Sequence, residues 1–159
     1  MLYLIPVPLH RMALRLAHAL RKQWWRVRRP VVLGCRVLAF DAQGRLLLIR
    51  HSYGRDHWTL PGGGIRRGED PVLAAAREFL EETGCVLGDP RLFARLDEPL
   101  FGATNRVHFI TGMALGEPCP DAREVIALAF HACAALPQPL APSLAVGIDD
   151  WLARIAATA

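Results

Sequence analysis

Residues 31 to 50 run "VVLGCRVLAF", "DAQG", "RLLLIR". Two apolar, β-prone stretches around a turn segment predict a β-hairpin, with strands at 31–40 and 45–50 and the turn at 41–44. Residues 51–70 read as a loop with a short extended piece at 58–60. Residues 71–83 change to a helical period, with Asp70 as N-cap, Pro71 at the first helical position and Gly84 as the left-handed residue after the last turn. Strands are expected near 91–97, 106–115 and 124–131, and a closing helix at 143–157, weakened by Gly147. Upstream, Leu9, Met12, Leu16, Leu20 and Trp24 line one stripe of a helix over 9–25 with arginines on the other face, and Pro30 ends that segment. There is no internal repeat, and the summary is one α+β or mixed α/β domain.

At about 100° per residue, Val72, Leu73, Ala76, Phe79, Leu80 and Thr83 share an arc of about 120°, the expected core face of the helix. Glu78, Glu81 and Glu82 share an arc of about 100° on the other side, above the small Ala74 and Ala75, so three acids are expected to converge on one patch. Arg77, four residues before Glu81, lies beside them.

Composition refines this picture in two places. The 159 residues suffice for one domain with its own core, and mean hydropathy is only +0.20. No apolar run is long enough to span a bilayer, and the apolar start, broken by Pro6 and Pro8 with no basic residue ahead of it, argues against a secretory signal. The four cysteines, Cys35, Cys85, Cys119 and Cys133, lie far apart without a Cys-x-x-Cys pair and read as reduced thiols of a cytoplasmic protein. The net charge of +4 is local: residues 1–30 hold seven of the 19 basic side chains and no acid, leaving 12 basic against 15 acidic elsewhere. The basic helix over 9–25 suits an anionic membrane surface or nucleic acid. The favoured expectation is that it packs on its own domain or on a second copy in a homodimer, since nothing else in the chain reads nucleic acid. Residues 1–29 are accordingly set apart as an extension, and 30–159 as the main domain.

The acids of "AAAREFLEETGC" sit at the helix end that favours cations, and they repel each other at three- and four-residue spacing. A solvated acidic face is one reading. A site for Mg²⁺ or Mn²⁺ is the other, because these hard ions take carboxylate oxygens and turn the repulsion into attraction. The preceding "PGGGIRRGED" lets backbone approach a ligand closely. It is not a phosphate cradle of known spacing: Glu69-Asp70 replace the Lys-Ser/Thr of a Walker A loop, and Arg67 occupies the third glycine of a dinucleotide fingerprint.

Gly63, five residues, Glu69, seven residues, and then "REFLEETGC" resemble the Nudix box, Gly-x5-Glu-x7-Arg-Glu-U-x-Glu-Glu-x-Gly-U with U bulky and apolar. Gly63, Glu69, Arg77, Glu78, Glu81, Glu82 and Gly84 all match, with Phe79 and the smaller Cys85 at the U positions. "WTLPGG" and the strand–turn–strand of 31–50 also look like the family, and the resemblance covers roughly 30–137. It implies an α/β/α sandwich with a mixed sheet between helices, and hydrolysis of the pyrophosphate in a nucleoside diphosphate linked to another group, with Mg²⁺ or Mn²⁺. By position it implies Glu78, Glu81, Glu82 and the Gly63 carbonyl as metal ligands, Arg77 orienting a glutamate, Glu69 supporting the loop, and Glu78 or a later acid as base. Glu124 is the first candidate for that acid, before Glu117 and Glu98. Arg66 and Arg67 are candidates for phosphate contacts, Tyr53 and Trp58, with His57 and Phe101, for base stacking. Nucleotide sugars, ADP-ribose and (deoxy)nucleoside triphosphates stay open as substrates: the positions that often mark subfamilies hold Phe101 and Gly102, and Pro99 is out of register. A nucleotide-binding sensor without turnover is the alternative, disfavoured by the intact box.

Overall fold

The computed structural model describes residues 30–53, 56–100, 102–120 and 124–157. The basic helix expected over 9–25 and the stacking candidate Phe101 lie outside the described residues.

Five strands and two helices follow in the order β1 (Val31–Phe40), β2 (Leu46–His51), α1 (Pro71–Thr83), β3 (Val86–Leu100), β4 (Ala103–Leu115), β5 (Val125–His131) and α2 (Pro142–Ala156). They form one sheet of order β3-β4-β1-β2-β5. β1 pairs in parallel with β4, from Val31↔Thr104 to Phe40↔Met113. The pairs β1–β2, β2–β5 and β3–β4 are antiparallel. The near-continuous apolar runs of β1 and β2 fit their central places, since a strand covered on both faces needs no alternation. Cys35, Val37, Ala39 and Leu47 face α1, whose Ala74, Ala75 and Phe79 complete one buried cluster. Leu38, Leu46, Leu48, Val107 and Phe109 face α2, whose Leu144, Ile148 and Trp151 complete the other. The rings of Phe109 and Trp151 tilt together at a centroid distance of 4.4 Å. The sheet is thus a mixed one sandwiched between helices.

The helix caps are as expected. Asp70 Oδ1 accepts from the N–H groups of Val72 and Leu73, and Gly84 stands at φ 72° with its N–H donating to Leu80 O. The face that α1 buries is not. Leu73 and Leu80 are 67% and 50% exposed, whereas Ala74, Ala75, Phe79, Glu82 and Thr83 are buried. The helix is therefore turned by roughly 100° from the expected orientation, one residue's step. Two alanines let the helix axis approach the sheet closely, and the rotation carries Glu82 inward. A helical wheel weighs only the hydrophobicity of its own side chains and does not see that packing distance.

β3 is longer than expected, beginning at Val86 directly after the helix, with irregular register between Gly88 and Arg91 and between Leu92 and Ala94. All four cysteines are free thiols, as their spacing implied.

Candidate active site

The loop between β2 and α1 is stitched onto β1. Cys35 N–H donates to Gly63 O at 2.9 Å, Val37 N–H to Pro61 O at 2.9 Å, and Ile65 N–H to Leu33 O at 3.0 Å. The loop passes so close that a Cβ on Gly62, which has φ 139°, would lie 2.3 Å from Cys35 O and 3.0 Å from Arg36 Cα. Only glycine tolerates both that backbone angle and that approach. A Cβ on Gly63 would lie 2.4 Å from Glu78 Oε2. Bare backbone therefore meets the carboxylates of α1 directly.

Arg77 ties the loop to the helix. Its Nε donates to Glu69 Oε1 at 2.9 Å and its Nη2 to Glu69 Oε2 at 3.0 Å. Nη1 donates to Glu78 Oε1 at 2.7 Å, and Nη2 also reaches Gly64 O at 3.2 Å. Glu81 Oε2 stands 3.7 Å from Nη1. The planar fork matches a carboxylate, which a lysine would not do. Hydrogen bonds from Arg77, and after them the Arg66 N–H, hold the Glu69 carboxyl down to about 2.

Glu82 is only 8% exposed. Its Oε2 accepts from Gly62 N–H at 2.7 Å, and its Oε1 lies 3.9 Å from His51 Nε2. Burial pushes its carboxyl up to about 8; the Gly62 N–H and Arg36 pull downward, while Glu78 and Glu124 push further up. Desolvation of the charged form outweighs the one hydrogen bond. Glu124, just before β5, is thus brought near Glu82 from 42 residues away in the chain, with its carbonyl accepting from Ser52 N–H at 2.8 Å.

The three glutamates stand in different environments. Among the described residues, no three His, Cys, Asp or Glu side chains form a ready metal-holding group. Glu82 is buried on Gly62, Glu78 is half-buried on Arg77, and the Glu81 side chain is 57% exposed. The rotation of α1 gives them inner, lateral and outer surroundings on the arc of about 100° that they still share. The donor chemistry still suits a hard dication: carboxylate oxygens stand beside the Gly63 backbone, and Glu78 Oε2 is not held by Arg77.

Of the other candidates, Arg66 and Arg67 are exposed on the rim of the loop. Tyr53 stacks on His51 at 5.0 Å. Trp58 is engaged by its own neighbours, with the Arg50 guanidinium 5.7 Å over its ring and His131 edge-on at 5.0 Å. Glu117 is exposed beyond the end of β4, whereas Glu98 is half-buried opposite Arg36 in a pocket between the sheet and α2. His51 and Arg36 escaped the sequence reading. Arg36 left one signal, a lone charge inside an apolar strand; His51, at a strand end, left none.

A family model described as NUDIX domain matches residues 30–154. The chain is 37% identical over 89 residues to the ADP-ribose pyrophosphatase of Mycobacterium tuberculosis, covering 52% of this chain and 43% of that protein. It is 31% identical over 132 residues to the NAD-capped RNA hydrolase NudC of Vibrio cholerae, covering 80% of this chain and 48% of that protein. The chain spans less than half the length of these two curated relatives. A MutT NUDIX hydrolase from Burkholderia pseudomallei superposes with a TM-score of 0.68 at 28% identity, covering 77% of this chain and 98% of that one. With that match and an unbroken motif from Gly63 to Cys85, the chain belongs to the NUDIX domain family.

Proposed function

We propose that this protein hydrolyses the pyrophosphate bond of a nucleoside diphosphate linked to another group, with Mg²⁺ or Mn²⁺. The observation that carries the reading is the Glu69–Arg77–Glu78 network, which clamps the glycine loop against the carboxylate face of α1. Such a clamp has a use where a metal-bound diphosphate must be positioned to within a fraction of an ångström.

In this reading Glu78 Oε2, Glu81, Glu82 and the Gly63 carbonyl would hold the metal. When bound, a divalent ion neutralises phosphate charge and makes water acidic. Hydrolysis forms one new P–O bond to water and breaks the bridging P–O bond. The water's proton passes to a carboxylate, and the leaving phosphate departs with the bridging oxygen. Glu78 and Glu124 are the two candidates for that carboxylate: Glu78 abuts the Gly63 backbone, and the charge of Glu124 is felt at Glu82. Arg77 keeps one Glu78 oxygen occupied and so aims the other. Arg66 and Arg67, exposed on the loop, would meet phosphate oxygens, and Tyr53, stacked on His51, would flank the base.

The test is a screen of nucleotide sugars, ADP-ribose and nucleoside triphosphates with Mg²⁺ or Mn²⁺, with Glu82→Gln in parallel. The expected result is release of a nucleoside monophosphate or inorganic pyrophosphate, at least about 100-fold slower in the variant. Equal turnover by both forms would remove Glu82 from the mechanism. Tight nucleotide binding without cleavage would favour a sensor.

A further inference from the structure

β3 is an edge of the sheet, and among the described residues its one strand neighbour is β4. An edge strand with free backbone groups is a template for another strand, and proteins blunt it with bulges, prolines and charges. The first half of β3 is blunted in this way: it carries Pro90, and its register shifts between Gly88 and Arg91 and between Leu92 and Ala94. From Ala94 to Leu100 the pairing with β4 is unbroken. This second half, "ARLDEPL", is an open run in which Arg95, Leu96 and Asp97 are exposed.

The ladder fixes which backbone groups face the edge. Thr104 N–H donates to Pro30 O at 3.1 Å, toward β1. Backbone groups alternate in direction along a strand, so those of Arg106 and His108 also point at β1. Their partners in β3 are Asp97 and Arg95, which consequently turn their own N–H and C=O groups to the open edge, as Pro99 opposite Thr104 turns its carbonyl. The side chains of Arg95 and Asp97 share the face covered by α1, since His108 and Arg106 pair onward with Cys35 and Leu33. The Arg106 fork holds both Asp97 oxygens at 2.9 Å from the β4 side. Leu96, 41% exposed, lies on the other face beside Val107.

This run is complementary to itself. In a second copy laid antiparallel about a two-fold axis at Leu96, each Arg95 stands opposite the Asp97 of the other copy. Those are the residues whose backbone groups point outward, so each pair exchanges both N–H···O bonds and adds opposite charges on one face. On the other face the two Leu96 side chains meet and leave water. Moving the axis by one residue either way sets Arg95 against Arg95 or Asp97 against Asp97. We propose that β3 is a homodimer interface in which two copies pair antiparallel through Arg95 and Asp97 about an axis at Leu96, continuing the sheet from one copy into the other. β3 lies at the opposite edge from β5, which Glu124 precedes, and the pairing is independent of the hydrolase reading.

Sedimentation of the full chain from about 1 to about 100 µM tests this. The expected result is a monomer–dimer equilibrium with a dissociation constant in the micromolar range, as suits a small interface. Arg95→Glu and Asp97→Lys each set like charges across the axis on both sides and should weaken self-association at least about 10-fold. An equimolar mixture of the two variants should form a heterodimer about as tight as the wild-type dimer, because position 95 of each chain then meets the opposite charge at position 97 of the other. Hydrogen exchange reads the same register without substitution: the Arg95 and Asp97 amides should slow as wild-type concentration rises, while the Leu96 amide, turned toward β4, is protected throughout. A wild type that stays monomeric to about 100 µM, variants that dimerise as well as the wild type, or a mixture without rescue overturns the proposal. Arg95 and Asp97 amides already protected in the monomer would show another segment of the chain on this edge, and the proposal falls. If either variant does not fold, the exchange result decides: slowing with concentration supports the interface, and its absence overturns it.

Discussion

The N–H of Gly62 donates to Oε2 of Glu82 at 2.7 Å, joining the second glycine of the loop to the last glutamate of α1 across 20 residues. The bond places an acid in the protein interior, where burial pushes its carboxyl up to about 8. Without a cation, Glu82 is largely protonated at neutral pH. A dication would deprotonate it, so metal binding and proton release are coupled.

Mg²⁺ affinity should therefore rise as pH goes from 6 to 8, with protons released on binding. Calorimetry in buffers of different ionisation enthalpy measures the proton count directly. In Glu82→Gln both the release and the pH slope should shrink. Binding that is independent of pH over this window would contradict the role given to Glu82.

The same group shapes stability in EDTA. Its folded-state value lies above its ordinary one near 4.5, so the folded state holds a proton that the unfolded state gives up. The resulting stabilisation is present below the ordinary value and is lost as pH rises through about 8. Thermal melts from pH 5 to 8 should show Tm falling in wild type and falling less in Glu82→Gln.

Arg77→Lys keeps the charge but loses the fork that holds both Glu69 oxygens. The loop and Glu78 then lose their fixed relation, and kcat should drop about 100-fold, the size of an ångström-scale misplacement. Because Arg77 holds the Glu69 carboxyl down to about 2, that pair stabilises the fold above the ordinary value and fades as pH falls from about 4.5 toward 2. Acid titrations followed by circular dichroism should show a shallower decline in the variant over that range.

Gly63→Ala introduces a carbon 2.4 Å from Glu78 Oε2. Glu78 must swing away or the loop must lift, and either movement disturbs the proposed metal ligands. Metal affinity and turnover are expected to fall at least about 10-fold while Tm changes by only a few degrees, since the loop bonds to β1 are made by backbone. Unchanged metal affinity would show that the loop does not contribute to the site.

Much of this molecule could be read along the chain. Asp70, Pro71 and Gly84 delimit α1 at the residues where the helix begins and ends, because capping chemistry acts within one turn. The 31–50 hairpin and the motif of loop and helix are likewise local, set by turn residues and by spacing. What the chain order did not disclose is how α1 sits on the sheet. Its two leucines face outward and two of its three alanines inward, since close approach to β1 and the Gly62–Glu82 bond outweigh the gain from covering Leu73 and Leu80. That rotation leaves one glutamate buried, one half-buried and one exposed. The pocket is equally non-local: Arg36, Glu98 and Trp151 come from three elements and meet only through parallel pairing of β1 with β4 and the packing of α2. Local propensity acts over a few residues, so it specified the elements and the motif. Burial and charge depend on neighbours brought from far along the chain, and those became fixed only when the layers closed on one another.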